Sequence, residues 1–254
     1  MRDLASPSSP PKAVRFVAKL LNLKSEGQNF MYRRFLKRFV DIVLSAVAIV
    51  VVLPFMLPII IGLLLTGEHY VFYFQERIGY KNRPFNIWKF ATMLKNSPNL
   101  PGGMHTTRND PRLMPLGGFL RKTKINEIPQ LVNILLGDMS IVGPRPLVGK
   151  TFDPYPEHVK AKIYNVRPGL TGIGSIVFRD EEKLLSETKL DPKEYYAKYI
   201  SPYKGELELW YQSHLSFRTD FMLVFLTAWV ILFPESDLVH KIFSDLPARP
   251  EYLD

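Results

Sequence analysis

The chain has 254 residues, contains no cysteine and carries a formal net charge of +9 at neutral pH. The lack of cysteine excludes a disulfide framework and a thiolate metal site, and it agrees with a reducing cytosolic environment. The positive charge predicts an anionic partner, for which the candidates are anionic lipid, a nucleotide diphosphate or nucleic acid. The basic residues are dispersed, and no recognition-helix, zinc or stacking motif accompanies them, which argues against nucleic acid.

The first 30 residues are predicted to form an extension, part of it disordered. Residues 1–11 are rich in serine and proline and show neither the apolar core nor the cleavage site of a secretory signal. Residues 13–24 place apolar side chains near one side of a basic helix. We expect this amphipathic helix either to lie on a membrane surface or to pack against the domain.

Residues 39–65 are almost continuously apolar, which predicts a membrane element. A straight helix of about 27 residues measures roughly 40 Å, enough to cross a hydrocarbon core of about 30 Å. Pro54 removes a backbone hydrogen bond near the middle and predicts a bend. Basic residues flank the segment on both sides, so the positive-inside rule places both ends in the cytoplasm. We therefore favour a re-entrant hairpin over a single span, and a buried helix of a soluble core is disfavoured.

Residues 71–93 alternate in a way that predicts two short strands joined by a turn over residues 79–84. Three polar side chains of this hairpin, Gln75, Arg77 and Lys89, are candidates for a shared substrate pocket. The alternative is that they are ordinary charged and polar groups on the surface of the strands.

Residues 126–136 predict a helix of about ten residues. Asn126 suits an N-cap, Glu127 falls in the first turn, Pro129 is tolerated there and Gly137 suits the position after the last turn. The expected buried stripe consists of Leu131, Ile134 and Leu135.

Charged residues surround this predicted helix. Arg121, Lys122 and Lys124 precede it and Asp138 follows it, before a turn stiffened by proline that contains Pro144, Arg145 and Pro146. A helix N-terminus beside guanidinium groups binds phosphoryl oxygens, and an acidic side chain can hold a divalent cation between them. The segment therefore predicts a phosphate site, with a capped helix in a basic, solvated setting as the alternative.

The C-terminal half contains weaker signals. Residues 166–174 form a turn punctuated by glycine and proline that contains Arg167, and Arg179 follows shortly after. Both arginines are candidate substrate-binding residues. Residues 221–233 are apolar but too short to span a bilayer, which predicts a core or interfacial helix.

Several motifs occur in a characteristic order: KRFVD, an apolar segment with a central proline, FQERIGYKNRPFNIWKFATM, GDMSIVGPRP, VRPGLTG and a closing LSFRTDFMLVFLTAWVIL. Together they resemble the bacterial sugar transferase family of monotopic phosphoglycosyl transferases, which transfer a sugar-1-phosphate from a UDP-sugar to polyprenyl phosphate. The resemblance covers residues 32–232, and the run GDMSIVGPRP is very specific.

The resemblance implies a magnesium-dependent ping-pong reaction that releases UMP at the cytoplasmic face of the bacterial inner membrane. Lys37, Arg38, Asp41 and Pro54 match the motif at which the chain meets the membrane. Arg121 matches a phosphate-contacting arginine, and Arg145 lies in the Pro-Arg-Pro turn associated with the nucleotide. The implied partners are the UDP-sugar, polyprenyl phosphate, the inner leaflet and downstream glycosyltransferases.

The catalytic pair departs from the family pattern. That pattern reads Asp-Glu with the aspartate as nucleophile, whereas this chain has Asn126 followed by Glu127. An amide oxygen is a feeble nucleophile and has no charge for a cation. Three explanations stay open: Glu127 attacks phosphorus, polyprenyl phosphate attacks directly, or the protein is an inactive variant or substrate-binding subunit.

The sequence thus predicts an α+β protein with a small cytoplasm-facing domain, a re-entrant N-terminal membrane hairpin and interfacial amphipathic helices. Its expected parts are an extension (1–30), a re-entrant helix (31–66), a catalytic domain (67–234) and a tail (235–254). We favour an enzyme in which Arg121 and Arg145 neutralise the diphosphate and Glu127 or Asp138 helps to hold Mg²⁺. The alternative is a membrane adaptor that binds nucleotide-sugar or lipid phosphate.

Overall fold

A computed structural model describes residues 31–100 and 110–250. The predicted amphipathic helix at residues 13–24 lies outside these ranges. The described chain forms eleven α-helices and four strands. In chain order they are α1 (Lys37–Leu65), β1 (Phe72–Ile78), β2 (Pro84–Phe90), α2 (Gly117–Lys122), α3 (Gln130–Leu136), β3 (Ser140–Val142), α4 (Gly149–Phe152), α5 (Glu157–Lys160), β4 (Gly169–Thr171), α6 (Ile173–Val177), α7 (Glu181–Glu187), α8 (Pro192–Tyr195), α9 (Ser201–Ser213), α10 (Phe217–Leu232) and α11 (Leu238–Ile242).

The predicted hairpin is confirmed. β1 and β2 pair in antiparallel register, with Tyr73 opposite Lys89, Gln75 opposite Ile87 and Arg77 opposite Phe85. Because these pairs alternate along the strands, Gln75, Arg77 and Lys89 share one face of the hairpin. A second, two-stranded sheet pairs β3 with β4 in parallel. The mixture of helices and small sheets confirms the α+β class.

Three clusters of apolar side chains hold the domain together. The largest lies around α9, α10 and the segment before β4, and α11 of the C-terminal tail packs into it through the buried Val239. A second cluster joins Leu63 near the end of α1 to Phe90 and Leu120. The third, formed by Ile87, Ile134 and Met139, packs α3 against the hairpin. The hairpin face that holds Lys89 is therefore fixed against α3.

Helix α1 is the one helix in the described chain that is long and apolar enough to cross a membrane, judged by length and composition. It is continuous through Pro54 and Pro58. Most of its apolar side chains are exposed, whereas Asp41 and Ser45 near its start and Leu63 near its end are buried. Both ends of α1 thus pack into the same domain, and the middle presents apolar surface to the surroundings.

Helix α10 also has one buried and one exposed apolar face. Leu223, Leu226 and Val230 are buried against the core. The exposed face consists of apolar residues spaced by three, four or seven positions: Phe217, Phe221, Val224, Phe225, Ile231 and Leu232. This pattern is that of a helix lying on an apolar boundary, with its buried stripe toward the domain.

The prediction for residues 126–136 is wrong in two respects. Residues Ile125–Glu127 form a 3₁₀ turn, and the α-helix begins only at Gln130. Pro129 has no N–H to donate to the Ile125 carbonyl, which instead accepts from the backbone N–H of Ile128 at 3.1 Å. In addition, Leu135 is 38% exposed and is not part of a buried stripe. Gly137 ends the helix with φ 99°, as predicted.

Candidate active site

The turn before α3 presents the two central residues of the predicted site. Lys124 adopts a left-handed conformation with φ 60°, and its carbonyl accepts from the backbone N–H of Glu127 at 3.0 Å. This reversal places Asn126 and Glu127 in a tight turn rather than on a helix face. Asn126 is buried, and its Oδ1 accepts no hydrogen bond within the described residues, so this atom does not cap the turn or α3.

Glu127 is held by two cationic side chains. Its Oε1 lies 3.2 Å from Lys89 Nζ on β2 and 3.5 Å from a terminal guanidinium nitrogen of Arg145. Burial acts to raise the pKa of Glu127, but Lys89, Arg145 and Lys124 outweigh it and lower that pKa to about 2. Burial lowers the pKa of Lys89 to about 8, although Glu127 opposes this shift. Glu127 is therefore an ionised, weakly basic carboxylate that positions two cations.

Those cations line a small pocket. Arg77 reaches it from β1, and its guanidinium donates to the Pro146 carbonyl at 3.1 Å and to Gln75 Oε1 at 2.6 Å. Burial and the neighbouring Arg145 lower the pKa of Arg77 to about 10. The lining residues are Arg77, Ile87, Lys89, Gln130, Arg145, Pro146, Gly169 and Leu170. Three cations around one opening make a receptor for a polyanion such as a diphosphate.

The Pro-Arg-Pro turn is fixed through its backbone. The Pro144 carbonyl accepts from Gly169 N–H at 2.8 Å, and the Arg145 carbonyl accepts from the Tyr164 hydroxyl at 2.8 Å. The Pro146 carbonyl accepts from Arg77, as described above. Each of the three carbonyls thus has a partner, which holds the Arg145 side chain over the pocket.

Two side chains of the turn before α3, Asn126 and Glu127, could supply oxygen ligands to a magnesium ion. Asn126 Oδ1 is buried and has no hydrogen-bond partner within the described ranges. Glu127 follows Asn126 in the sequence, and carboxylate and amide oxygens, completed by substrate phosphates, are ligands that suit Mg²⁺. Asp138, the other predicted metal ligand, follows α3, and its Oδ2 accepts from Asn133 Nδ2 at 3.2 Å. Among the described residues, no group of three or more acidic or histidine side chains forms a separate metal cluster.

The other predicted arginines lie outside the pocket lining. Arg121 is in the last turn of α2. Arg167 donates to the Gly137 carbonyl at 2.8 Å and lies over the Tyr80 ring, so it caps the end of α3. Arg179 is exposed after α6. The structure therefore gathers Arg77, Lys89 and Arg145 around Glu127 and leaves Arg121, Arg167 and Arg179 away from that opening.

The KRFVD motif connects α1 to the site. Arg38 donates to the carbonyls of Ile134 and Leu135 at 2.6 and 2.9 Å, which caps α3 from the side of α1. Asp41 accepts from Ser140 Oγ at 3.1 Å and from the Ile141 N–H at 3.0 Å, at the strand that leads into the Pro-Arg-Pro turn.

Lys37 extends this connection to α10. Its Nζ donates to Asp220 at 2.6 Å and to the Val142 carbonyl at 2.9 Å. Asp220 also accepts from the hydroxyls of Tyr32 at 2.6 Å and Tyr211 at 2.7 Å. One buried carboxylate thus links the start of α1 to the end of β3 and to α9.

Sequence reasoning missed several residues that shape the site: Gln130, Tyr164, Glu208 and Asp220. Gln130 lines the pocket directly after Pro129. Glu208 and Asp220 are acidic residues at buried positions of α9 and α10. In the sequence, each of them is a carboxylate that falls at the spacing of an apolar helical stripe. A carboxylate at such a buried position is costly unless it has a partner.

Comparison with known families and proteins shows the family of the chain. The sequence model of the bacterial sugar transferase family matches residues 32–234, so the chain belongs to that family and the resemblance is confirmed.

The chain is 34% identical to an Escherichia coli UDP-glucose:undecaprenyl-phosphate glucose-1-phosphate transferase over 191 residues, which cover 74% of the chain and 40% of that protein. It is 30% identical to a Salmonella typhimurium undecaprenyl-phosphate galactose phosphotransferase over 213 residues, 78% of the chain and 41% of that protein. It is 33% identical to the exopolysaccharide production protein ExoY of Sinorhizobium fredii over 170 residues, 61% of the chain and 74% of that protein. The matched region spans about two fifths of the first two relatives.

Proposed function

We propose that this protein transfers a sugar-1-phosphate from a UDP-sugar to polyprenyl phosphate and releases UMP. The names of the E. coli and S. typhimurium relatives specify undecaprenyl phosphate as acceptor, and the E. coli name specifies UDP-glucose as donor. The reaction would be the initiating membrane step of a bacterial glycoconjugate or exopolysaccharide pathway, at the cytoplasmic face of the inner membrane.

One observation carries this proposal: Glu127 is held between Lys89 and Arg145 at a pocket that Arg77 also lines. Three cations together with one carboxylate leave a net positive charge that complements a diphosphate, and the carboxylate fixes two of the cations in place. In addition, Lys37, Arg38 and Asp41 bind the elements of this pocket to the start of the apolar helix α1. A soluble donor and a lipid acceptor can therefore meet at one site.

In the proposed reaction, an oxygen of polyprenyl phosphate attacks the β-phosphorus of the UDP-sugar. The bond between the β-phosphorus and the bridging oxygen breaks, and UMP leaves with that oxygen. Arg77, Lys89 and Arg145 neutralise the negative charge that the leaving phosphate gains. A bound Mg²⁺, held by Asn126 Oδ1, Glu127 and the diphosphate, would supply additional charge neutralisation.

Direct attack by the lipid phosphate is favoured over attack by Glu127. The pKa of Glu127, lowered to about 2 beside Lys89 and Arg145, makes its carboxylate a weak nucleophile. Asn126 has a neutral amide and serves as an oxygen ligand or an orienting group.

Exchange kinetics test this mechanism. Without lipid acceptor, we expect the wild-type protein not to exchange labelled UMP into UDP-sugar, because exchange requires a covalent sugar-phosphate intermediate. Asn126→Asp supplies a second carboxylate beside Glu127 and is expected to permit exchange. Exchange by the wild type, together with an adduct on Glu127 in intact-protein mass spectra, would show that Glu127 is the nucleophile.

The proposed membrane topology is a re-entrant α1. The buried Asp41 near the start of α1 and the buried Leu63 near its end both belong to the same domain. A helix of about 29 residues that crossed a bilayer would separate its ends by roughly 40 Å, on opposite faces. Contact of both ends with one domain supports entry and exit on one side, with α10 lying at the lipid interface.

Cysteine labelling tests the topology, because the natural sequence has no cysteine. Met31→Cys and Arg83→Cys place exposed thiols on either side of α1. We expect a membrane-impermeant maleimide to spare both in intact bacterial cells and to label both after lysis. Leu57→Cys, within the apolar segment, is the protected control. Labelling of one flanking position in intact cells would contradict the re-entrant arrangement.

A reconstituted assay tests the function itself. Purified protein, polyprenyl phosphate, magnesium and a panel of UDP-sugars should release UMP and form a lipid-linked sugar with at least one donor. The competing function, a non-catalytic membrane adaptor, predicts UDP-sugar binding without UMP release. Silence across a broad panel, with binding retained, would favour the adaptor.

A further inference from the structure

A second glutamate, Glu208 of α9, lies behind the Pro-Arg-Pro turn. The residue is 2% exposed, and its Oε2 has no hydrogen-bond partner within the described residues. Its carboxylate packs against the first turn of α6 so closely that a Cβ atom at Gly174 would lie 2.4 Å from Oε1. A glycine at this position therefore makes room for the carboxylate.

The carboxylate faces the backbone of the active-site turn. Burial raises the pKa of Glu208 to about 7, while Lys204 and hydrogen bonds from the backbone N–H groups of Arg145 and Gly174 act to lower it. The carbonyl of Arg145 is bound by Tyr164, and its guanidinium is 3.5 Å from Glu127. Glu208 therefore binds the backbone N–H of Arg145, while Tyr164 binds its backbone carbonyl.

Retention of a carboxylate here costs stability. The folded-state pKa of about 7 lies above the ordinary value of 4.5, so folding favours the protonated form. The free energy of unfolding therefore falls as the pH rises from the ordinary pKa of 4.5, taken for the unfolded state, through the folded-state pKa of about 7. Lys204, which is paired with Glu181, offsets only part of this cost. The other titratable groups around the carboxylate are the buried tyrosines Tyr155 and Tyr164. A neutral side chain at this position would not carry this pH-dependent cost.

We propose that Glu208 is a positioning residue that fixes the backbone of Arg145, and so holds the guanidinium over the diphosphate pocket. This inference rests on the proposed function, in which Arg145 contacts the diphosphate. Ionised Glu208 accepts from the Arg145 N–H, whereas the protonated carboxyl accepts less strongly and leaves the turn less constrained. Arg145 then acts on the donor with full effect only above about pH 7.

A double-mutant cycle tests the proposal. In otherwise wild-type protein, Glu208→Gln is expected to lower kcat/KM for the UDP-sugar about tenfold, and in an Arg145→Ala background it should have little further effect. The acid limb of the wild-type pH profile near pH 7 should disappear in Glu208→Gln. Glu206→Gln is the matched control, because Glu206 lies on the exposed side of α9 and pairs with His158.

If Glu208→Gln lowers kcat/KM equally in the wild-type and Arg145→Ala backgrounds, it damages the fold in general and the proposal is overturned. Wild-type activity of the Glu208→Gln variant would also overturn it. If Glu208→Gln does not fold, the pH profiles of the wild type and Arg145→Ala decide. An acid limb near pH 7 that persists in Arg145→Ala contradicts the inference, and its loss supports it. Failure of the proposed function can be told apart from failure of this inference, because the wild type itself would then release no UMP. In that case the double-mutant cycle would be repeated with the affinity for UDP as the measured quantity.

Discussion

Glu127→Gln is expected to lower UDP-sugar turnover by about 100- to 1,000-fold, the loss seen when one charge-positioning group is removed from a preorganised site. The carboxylate holds Lys89 at 3.2 Å and Arg145 at 3.5 Å. Glutamine is nearly isosteric but neutral, so both cations lose their anchor and the candidate metal site loses the carboxylate of Glu127. The measurement is UMP release at saturating lipid acceptor, with circular dichroism to verify the fold.

The matched control is Glu76→Gln, because Glu76 is an exposed carboxylate of the same hairpin and lies on the face opposite to Gln75 and Arg77. It should retain wild-type turnover. Full activity of Glu127→Gln would contradict both roles assigned to Glu127, namely positioning of the cations and help in holding Mg²⁺.

Asp220→Ala is expected to lower the free energy of unfolding by about 3–5 kcal/mol, the cost of breaking a buried ion pair on one side. Asp220 accepts from Lys37, Tyr32 and Tyr211. Without the carboxylate, the ammonium of Lys37 stays in a largely buried position, and both hydroxyls lose an acceptor. Denaturant unfolding in detergent, followed by circular dichroism, measures the difference.

Asp237→Ala is the control for this experiment, since Asp237 is exposed before α11. Its effect should stay within about 0.5 kcal/mol, as for most surface substitutions. A similar stability of Asp220→Ala and the wild type would show that the link between α1, β3 and α9 does not contribute to the fold.

Local patterns predicted the hairpin and the end of α3, because strand alternation and a C-terminal glycine act within a few residues. They failed at the start of α3. There, the missing N–H of Pro129 favours a 3₁₀ turn, and Asn126 does not cap the helix. The prediction for Leu135 failed because helical periodicity identifies an apolar face but not what covers that face.

The candidate site was predictable where its residues belong to recognisable segments. Glu127, Arg145, Arg77 and Lys89 were each named from sequence, and the structure brings them together. Arg167 was also named; it donates to the carbonyl at the end of α3 and lies outside the pocket lining. The roles of Asp220 and Glu208 could not be identified, because the contacts that tie them to the site, from Tyr32 and Lys37 to Asp220 and from Arg145 to Glu208, join residues separated by about 60 to 190 positions, and no local pattern encodes such pairings.

The capping of α3 by Arg38 has a consequence for how the lipid substrate finds the protein. Arg38 belongs to the apolar helix and binds the far end of the helix that follows Glu127. In the proposed membrane-bound state, the depth at which α1 sits in the bilayer therefore sets the height of the pocket above the lipid head groups. A long-chain phosphate confined to the leaflet then reaches the pocket by lateral diffusion in two dimensions, and thinner or thicker bilayers should alter its rate of capture.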